Sequence, residues 1–264
     1  LKEVNNKIII YGFDQNTESL DYSLKNNIID KRFNPDSFKG FDYIFLAIPV
    51  ESIKKQLKII LDKISKETLV IDLGSTKYQI CNSVKTHNNR GNFLASHPIA
   101  GTEFSGPIAA QKDLFNNKVI ILCETENTNS SLLLSAIEIF KKLGMNIKTM
   151  GSLEHDKHIA YVSHLSHISS FMLGKTVMDK EDDEQTIYDM AGSGFESTVR
   201  LAKSSPEMWS SIFIENKNNI IESLEEYILN INNFKKLIES GDQENLNTEM
   251  KKINGIREIL KGIK

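Results

Sequence analysis

The stretch YIFLAIPVESIKKQLKIILDKISKETLVIDLGSTK, residues 43–77, decides the fold. Tyr43–Ile48 and Leu69–Leu73 are short apolar runs with little alternation, as strands buried on both faces of a parallel sheet should be. Between them, Glu51–Ile64 carries Ile53, Leu57, Ile60, Leu61 and Ile64 along one helical stripe. Pro49, directly after the first run, suits a tight strand-to-helix turn. Strand, covering helix and strand make the βαβ unit of an α/β protein.

Working outward, similar runs at Ile8–Phe13, Asn92–Ser96, Val119–Cys123 and Asn146–Thr149 extend the pattern. Residues 1–151 therefore read as a Rossmann-like parallel-sheet domain, with Glu126–Ser131 a loop and helix cap. From Ser152 no strand-like segment follows, and residues 152–264 read as an all-helical domain. The helix His158–Val177 is apolar almost all round and should be central to that domain. Trp209–Ile238 carries an apolar stripe broader than one intramolecular face requires, which points to a homodimer interface. Asn245–Lys264 reads as a charged amphipathic helix.

Composition narrows the function. The 264 residues hold 32 Lys and Arg against 35 Asp and Glu, a net charge of −3 that offers no footprint for nucleic acid or an anionic membrane. No apolar run approaches the roughly 18–20 residues of a membrane helix, and no signal peptide opens the chain. The two cysteines, Cys81 and Cys123, are too few for a disulfide scaffold and read as buried thiols of a reducing cytoplasm.

In an open parallel sheet ligands bind beyond the carboxyl ends of the strands. Leu69–Leu73 runs into Gly74-Ser75-Thr76-Lys77, and Asn92–Ser96 into His97-Pro98, so Ser75 and His97 should overhang one crevice. Ser75 is either a catalytic hydroxyl or the N-cap of a helix Lys77–Val84. His97 is either functional or a structural histidine on a loop carbonyl. The first strand ends in Asp14, where a dinucleotide-binding fold puts an acid against the adenosine ribose hydroxyls. That acid would favour NAD over NADP, although strands also end in Asp for turn reasons.

Four of the six histidines fall between His155 and His167. Along a regular helix His155 and His158 face away from the His164–His167 pair, so four rings should not converge, and no HExxH occurs; no metal site is expected. Asp156, Ala160, Ser163 and His167 instead line up as a polar or small stripe bordering a cavity. In GSGFESTVRLA, residues 192–202, the Gly192-Ser193-Gly194 turn before a helix reads as a backbone pocket for an anion or as a plain hinge. Arg200, in the first turns of that helix, is either a carboxylate clamp held by Asp156 or a solvated arginine.

Three segments together, SHPIAGTEFSG (96–106), HDKHIAYVSHLSH (155–167) and GSGFESTVRLAKSSPEMW (192–209), resemble the prephenate and arogenate dehydrogenase family of tyrosine biosynthesis. The resemblance runs in order from Tyr11 to Trp209, and the helical remainder fits that family's dimerising domain. It implies oxidative decarboxylation of prephenate to 4-hydroxyphenylpyruvate with reduction of NAD. By this likeness His97 is the catalytic histidine on the ring hydroxyl and Ser75 the serine that orients both. Arg200 lies near the substrate carboxylates with Asp156 as its ionic partner, and His167 binds substrate. Thr102 and Glu103 belong to a closing loop, and Trp209 reaches towards the neighbouring subunit's site. Asp14, Pro49 and Ser75 fall on the cofactor side.

The family's glycine-rich turn and the strand before it have no counterpart in residues 1–264. That strand would lie between Ile8–Phe13 and Tyr43–Ile48, so the natural protein is expected to be longer at its N-terminus by roughly 30–50 residues. The competing readings are an arogenate dehydrogenase, a 3-hydroxyacid-type dehydrogenase using Lys157 or Lys175, and a non-catalytic module without its cofactor loop.

Overall fold

The computed structural model describes every residue except Glu3, Val4, Asn6, Asp36, Thr102, Glu103, Gln185 and 262–264. Its first part is a two-stranded and a five-stranded sheet with helices against them. Strand β1 (Tyr11–Gly12) pairs in parallel with β2 (Lys31–Arg32) across helix α1 (Thr17–Lys25). Then follow β3 (Tyr43–Leu46), α2 (Val50–Lys63), β4 (Leu69–Asp72), α3 (Tyr78–Ser83), β5 (Phe93–Ile99), β6 (Val119–Cys123), α4 (Ser130–Lys142) and β7 (Asn146–Met150). The larger sheet runs in the order β3-β4-β5-β6-β7.

Side-chain alternation along β4 explains the layers. Val70 joins Ile53, Leu57, Ile60 and Leu61 of α2 in one core, while Leu69 and Ile71 join Ala136 and Phe140 of α4 on the other face. Burying each such aliphatic side chain contributes about 1.5–3 kcal/mol, so the stripe on α2 seals that face of the sheet. Pro49 is the N-cap of α2, as its place after β3 suggests.

Three expectations need correction. The strand expected at Ile8–Phe13 is paired only over Tyr11–Gly12, because it has a single partner, β2; Ile9 and Phe13 stay exposed. The large sheet is not wholly parallel: β5 and β6 are antiparallel, with His97 opposite Ile121. A parallel return needs a crossover of a dozen or more residues, usually a helix, and the link between β5 and β6 holds only the 3₁₀ turn Pro107–Ala109. His97 therefore lies within β5 rather than after a strand end.

The rest is helical: α5 (Ser152–Ile159), one π-helical turn (Ala160–His164), α6 (Leu165–Glu184), α7 (Ser193–Val199), α8 (Pro206–Glu215), α9 (Lys217–Glu239), α10 (Gln243–Ile253) and α11 (Ile256–Lys261). The helix expected at His158–Val177 is thus interrupted by the π turn, and Met172 and Leu173 in its second half are exposed. The tail divides at Asn254–Gly255 into two helices instead of one. This half packs on the sheet domain through α5 against α3 and α8 against α2. Lys54 of α2 donates to both carboxylate oxygens of Glu215 at 2.6 and 2.7 Å.

Candidate active site

The floor of the site is a buried ion pair at the carboxyl end of β4. Lys77 is completely buried; its Nζ donates to Asp72 Oδ1 and, at 2.8 Å, to the Ser96 carbonyl. Ser96 Oγ donates to the Asp72 carbonyl at 2.7 Å, and the Gly74 N–H to Asp72 Oδ1 at 2.9 Å. Burial drives the Asp72 carboxyl up and Lys77 opposes it. These bonds lock β5 to the β4 end just before His97.

His97 meets the helical half there. Its Nδ1 lies 2.9 Å from His155 Nε2, and His155 Nδ1 lies 2.8 Å from Asp156 Oδ1. Asp156 is itself seated on α3, accepting the Lys77 N–H at 2.7 Å and the Tyr78 N–H at 2.9 Å. Burial first, then the neighbouring His155, Lys77 and His164, hold His97 well below the ordinary histidine value. An imidazole in that state is a proton acceptor at neutral pH.

A second group of rings continues from the first. Asn216 Nδ2, between α8 and α9, donates to the Asp156 carbonyl at 2.7 Å and to His164 Nδ1 at 3.2 Å. Burial, outweighing nearby Asp156, pushes His164 down to about 4. The His164 ring meets Trp209 edge-on at 5.9 Å, and the His167 ring stacks on Trp209 with centroids 3.5 Å apart. His167 Nδ1 donates to the Ser163 carbonyl at 3.0 Å. Burial chiefly, with the Arg200 guanidinium nearby, lowers His167.

The π turn makes this convergence possible. On a regular helix the nine residues from His155 to His164 would put the two rings about 180° apart. One wide turn at Ala160–His164 resets the phase, a device common at functional sites. His155 turns to His97 and Asp156, and His158 is exposed. His155, Lys77, Asp72 and Asn216 went unread as site residues. The acid–lysine spacing across DLGSTK and the adjacent His155-Asp156 were the available signals.

Other expected residues take different places. Ser75 is partly buried in the β4–α3 loop, but the N-cap of α3 is Lys77, so Ser75 is no cap. Asp156 does not hold Arg200: its carboxylate is buried and engaged by α3 and His155. The helix after the Gly192-Ser193-Gly194 turn already begins at Ser193, so Glu196, Ser197 and Thr198 lie inside α7. Arg200 follows α7 at its C-terminal end, in an exposed 3₁₀ turn, not in the first turns of the helix. Trp209 is buried against its own chain's His167 rather than reaching outward. Thr102 and Glu103 lie outside the described residues.

A second pocket lies at the end of β1. Asp14 lines a pocket of about 240 Å³ with Gly12, Phe13, Ser19, Ile29 and Pro107. One Asp14 oxygen accepts the Asn16 N–H at 2.8 Å, the turn role. The second oxygen has no partner among the described residues and suits a ribose hydroxyl, so the residues fit the adenosine end of a dinucleotide. Gly106 and Pro107 in the same pocket belong to the segment that follows His97 and β5, which ties the two sites together.

Residues 1–149 match the family model described as prephenate dehydrogenase, nucleotide-binding domain, and residues 151–252 the model described as prephenate dehydrogenase, dimerization domain. The chain is 31% identical over 243 residues to prephenate dehydrogenase of Bacillus subtilis, covering 90% of this chain and 65% of that one. It is 26% identical to cyclohexadienyl dehydrogenase of Zymomonas mobilis, covering 86% and 78%. Among solved structures, prephenate dehydrogenase of Aquifex aeolicus in complex with hydroxyphenyl propionate and NAD⁺ aligns with TM-score 0.87 at 30% identity, covering 98% of this chain and 92% of that one.

Proposed function

The chain belongs to the prephenate dehydrogenase family, and on that premise we propose that it converts prephenate to 4-hydroxyphenylpyruvate and carbon dioxide with reduction of NAD. The observation that carries this reading is His97. It is a partly buried imidazole held below the usual histidine range, linked through His155, His164 and Trp209 to His167 and the field of Arg200.

A bound nicotinamide would supply the acceptor for the hydride lost by the ring carbon that bears the hydroxyl. His97 takes the hydroxyl proton, a contribution typically worth roughly 10²–10⁴-fold. Loss of the ring carboxylate as carbon dioxide returns the bond's electron pair to the ring, which becomes aromatic, and His97 returns the proton to the phenolic oxygen. The remaining residues position the substrate. Arg200 holds its carboxylates, aided by the backbone of the Gly192-Ser193-Gly194 turn; His167 contacts the substrate, Thr102 and Glu103 belong to the closing loop, and Trp209 is a wall. Asp14 would accept from the ribose hydroxyls of NAD, its charge disfavouring a 2′-phosphate, and Pro49 and Ser75 would fall on the cofactor side.

The exposed Ile221, Ile228, Leu229, Ile231 and Ile238 of α9 support a homodimer built through the helical half. Residues 1–151 serve the cofactor and 152–264 the substrate and the dimer. Among the described residues no helix is long and apolar enough to cross a membrane. Cys81 and Cys123 are buried free thiols, which suits a reducing cytoplasm.

Side-by-side assays of prephenate and arogenate with NAD⁺ and NADP⁺ test the reading. Faster NADH production from prephenate is expected. Exclusive use of arogenate would correct the substrate, and turnover of neither would overturn the activity.

A further inference from the structure

The hydrogen bonds behind His97 settle more than its location. Both oxygens of Asp156 already accept backbone N–H groups, from Lys77 at 2.7 Å and Tyr78 at 2.9 Å. Those partners can only donate, so the carboxylate acts as an acceptor, and the 2.8 Å contact to His155 must use a proton on His155 Nδ1. His155 is completely buried and has no water to turn to. With its proton on Nδ1, His155 Nε2 presents a lone pair. The 2.9 Å contact to His97 must then be donated by His97 Nδ1–H. His97 Nε2 is left bare, with no hydrogen bond to a described residue.

We infer that His155 is a positioning residue that transmits the orientation of Asp156 to His97 and fixes the His97 tautomer with its proton on Nδ1. The inference rests on His97 being the base proposed above, because only the bare Nε2 can take a hydroxyl proton. The same chain serves the protonated state. Once His97 gains a proton on Nε2, its Nδ1–H still donates to His155, so the ring need not turn during the reaction. The Asp72–Lys77 pair on the β4 side and Asn216 on the helical side hold the two halves of this chain together. Tautomer control of this kind is distinct from general acid–base action, and its loss in an analogous triad costs up to about 10⁴-fold.

The test is a ¹⁵N–¹H long-range correlation spectrum of the ligand-free protein, with His97 assigned by difference against His97→Asn. The expected result is a protonated Nδ1 and a bare Nε2 on His97. A proton on His97 Nε2 in the resting protein would make His155 the donor and overturn the proposal, whether or not the protein turns over any substrate. His155→Gln keeps an amide oxygen able to accept from His97, whereas His155→Leu does not. In His155→Leu the Nδ1–H tautomer should lose its dominance, and kcat should fall between about 10-fold and 10⁴-fold with little change in KM. His155→Gln should restore the tautomer and part of kcat. If the leucine variant fails to fold, the wild-type spectrum and the glutamine variant still decide; wild-type kcat in His155→Leu would refute the role.

Discussion

The imidazole of His167 lies against the indole of Trp209 with ring centroids 3.5 Å apart and planes inclined by 25°. The stack and the hydrogen bond from His167 Nδ1 to the Ser163 carbonyl fix the ring from two directions. His167 Nε2 is thereby kept as the free nitrogen of a neutral ring whose pKa is lowered mainly by burial, beside the Arg200 guanidinium. A neutral imidazole does not repel the cation beside it, which leaves Arg200 to receive the anionic substrate, while the bare His167 Nε2 can accept a hydrogen bond from it.

Arg200→Ala should therefore weaken substrate binding more than it slows the reaction. Removing a hydrogen bond to a charged group costs roughly 1.5–3 kcal/mol, so KM should rise by about 10–100-fold with a smaller change in kcat. Steady-state kinetics on the variant would check this, and an unchanged KM would remove Arg200 from the carboxylate site.

His97 carries a pH prediction. Burial, with His155, Lys77 and His164 adding to it, holds the ring well below 6.5. The unprotonated form is the active one, so kcat/KM should remain level as pH falls through 6.5 and decline only below it. An acidic limb centred at or above 6.5 would contradict the assignment.

The buried pair Lys77–Asp72 should govern stability more than chemistry. Lys77→Met would leave the Asp72 carboxyl dry and unpaired, at a cost of about 3–5 kcal/mol, read as a lower midpoint of urea unfolding. Adding Asp72→Asn should recover much of the loss. A Lys77→Met protein with the parent's midpoint would show that the pair contributes little.

His164 should set part of the acid sensitivity. The unfolded chain protonates this ring near 6.5, whereas the folded chain does so only near 4. The folded form thus binds fewer protons between those values, and stability should drop as pH falls from about 6.5 to 4, by at most about 3 kcal/mol. Above 6.5 the ring is neutral in both states and contributes no slope. Urea unfolding at several pH values should show a shallower acid slope for His164→Asn than for the parent; equal slopes would assign the effect elsewhere.

How much of this was legible in the sequence depends on whether local spacing or tertiary contact decides each feature. The unit from β3 to β4 was legible because five aliphatic residues on α2 and an apolar run on either side leave one way to be buried. His97 stood out because it follows an apolar strand and precedes a glycine-punctuated segment. The role of His155 was not legible because its partner, His97 on β5, is 58 residues away and only the packing of the helical half on the sheet brings them together. Lys77 was missed because a lysine after a strand is ordinarily solvated; here Asp72 and the Ser96 carbonyl, 5 and 19 residues away, supply the partners. The reversal of β6 depends on the path of a link with no crossover helix, which apolar content alone does not reveal. Asp156 was paired with Arg200 because opposite charges attract on paper, whereas α3 offers it two backbone donors at closer range.

The most direct check is to follow NADH and 4-hydroxyphenylpyruvate together when the protein and its His97→Asn variant are given prephenate and NAD⁺. Equal amounts of the two products from the parent are expected, with the variant still binding prephenate but slowed by about 10²–10⁴-fold. A variant that turns over at the parent's rate would contradict the account at its centre.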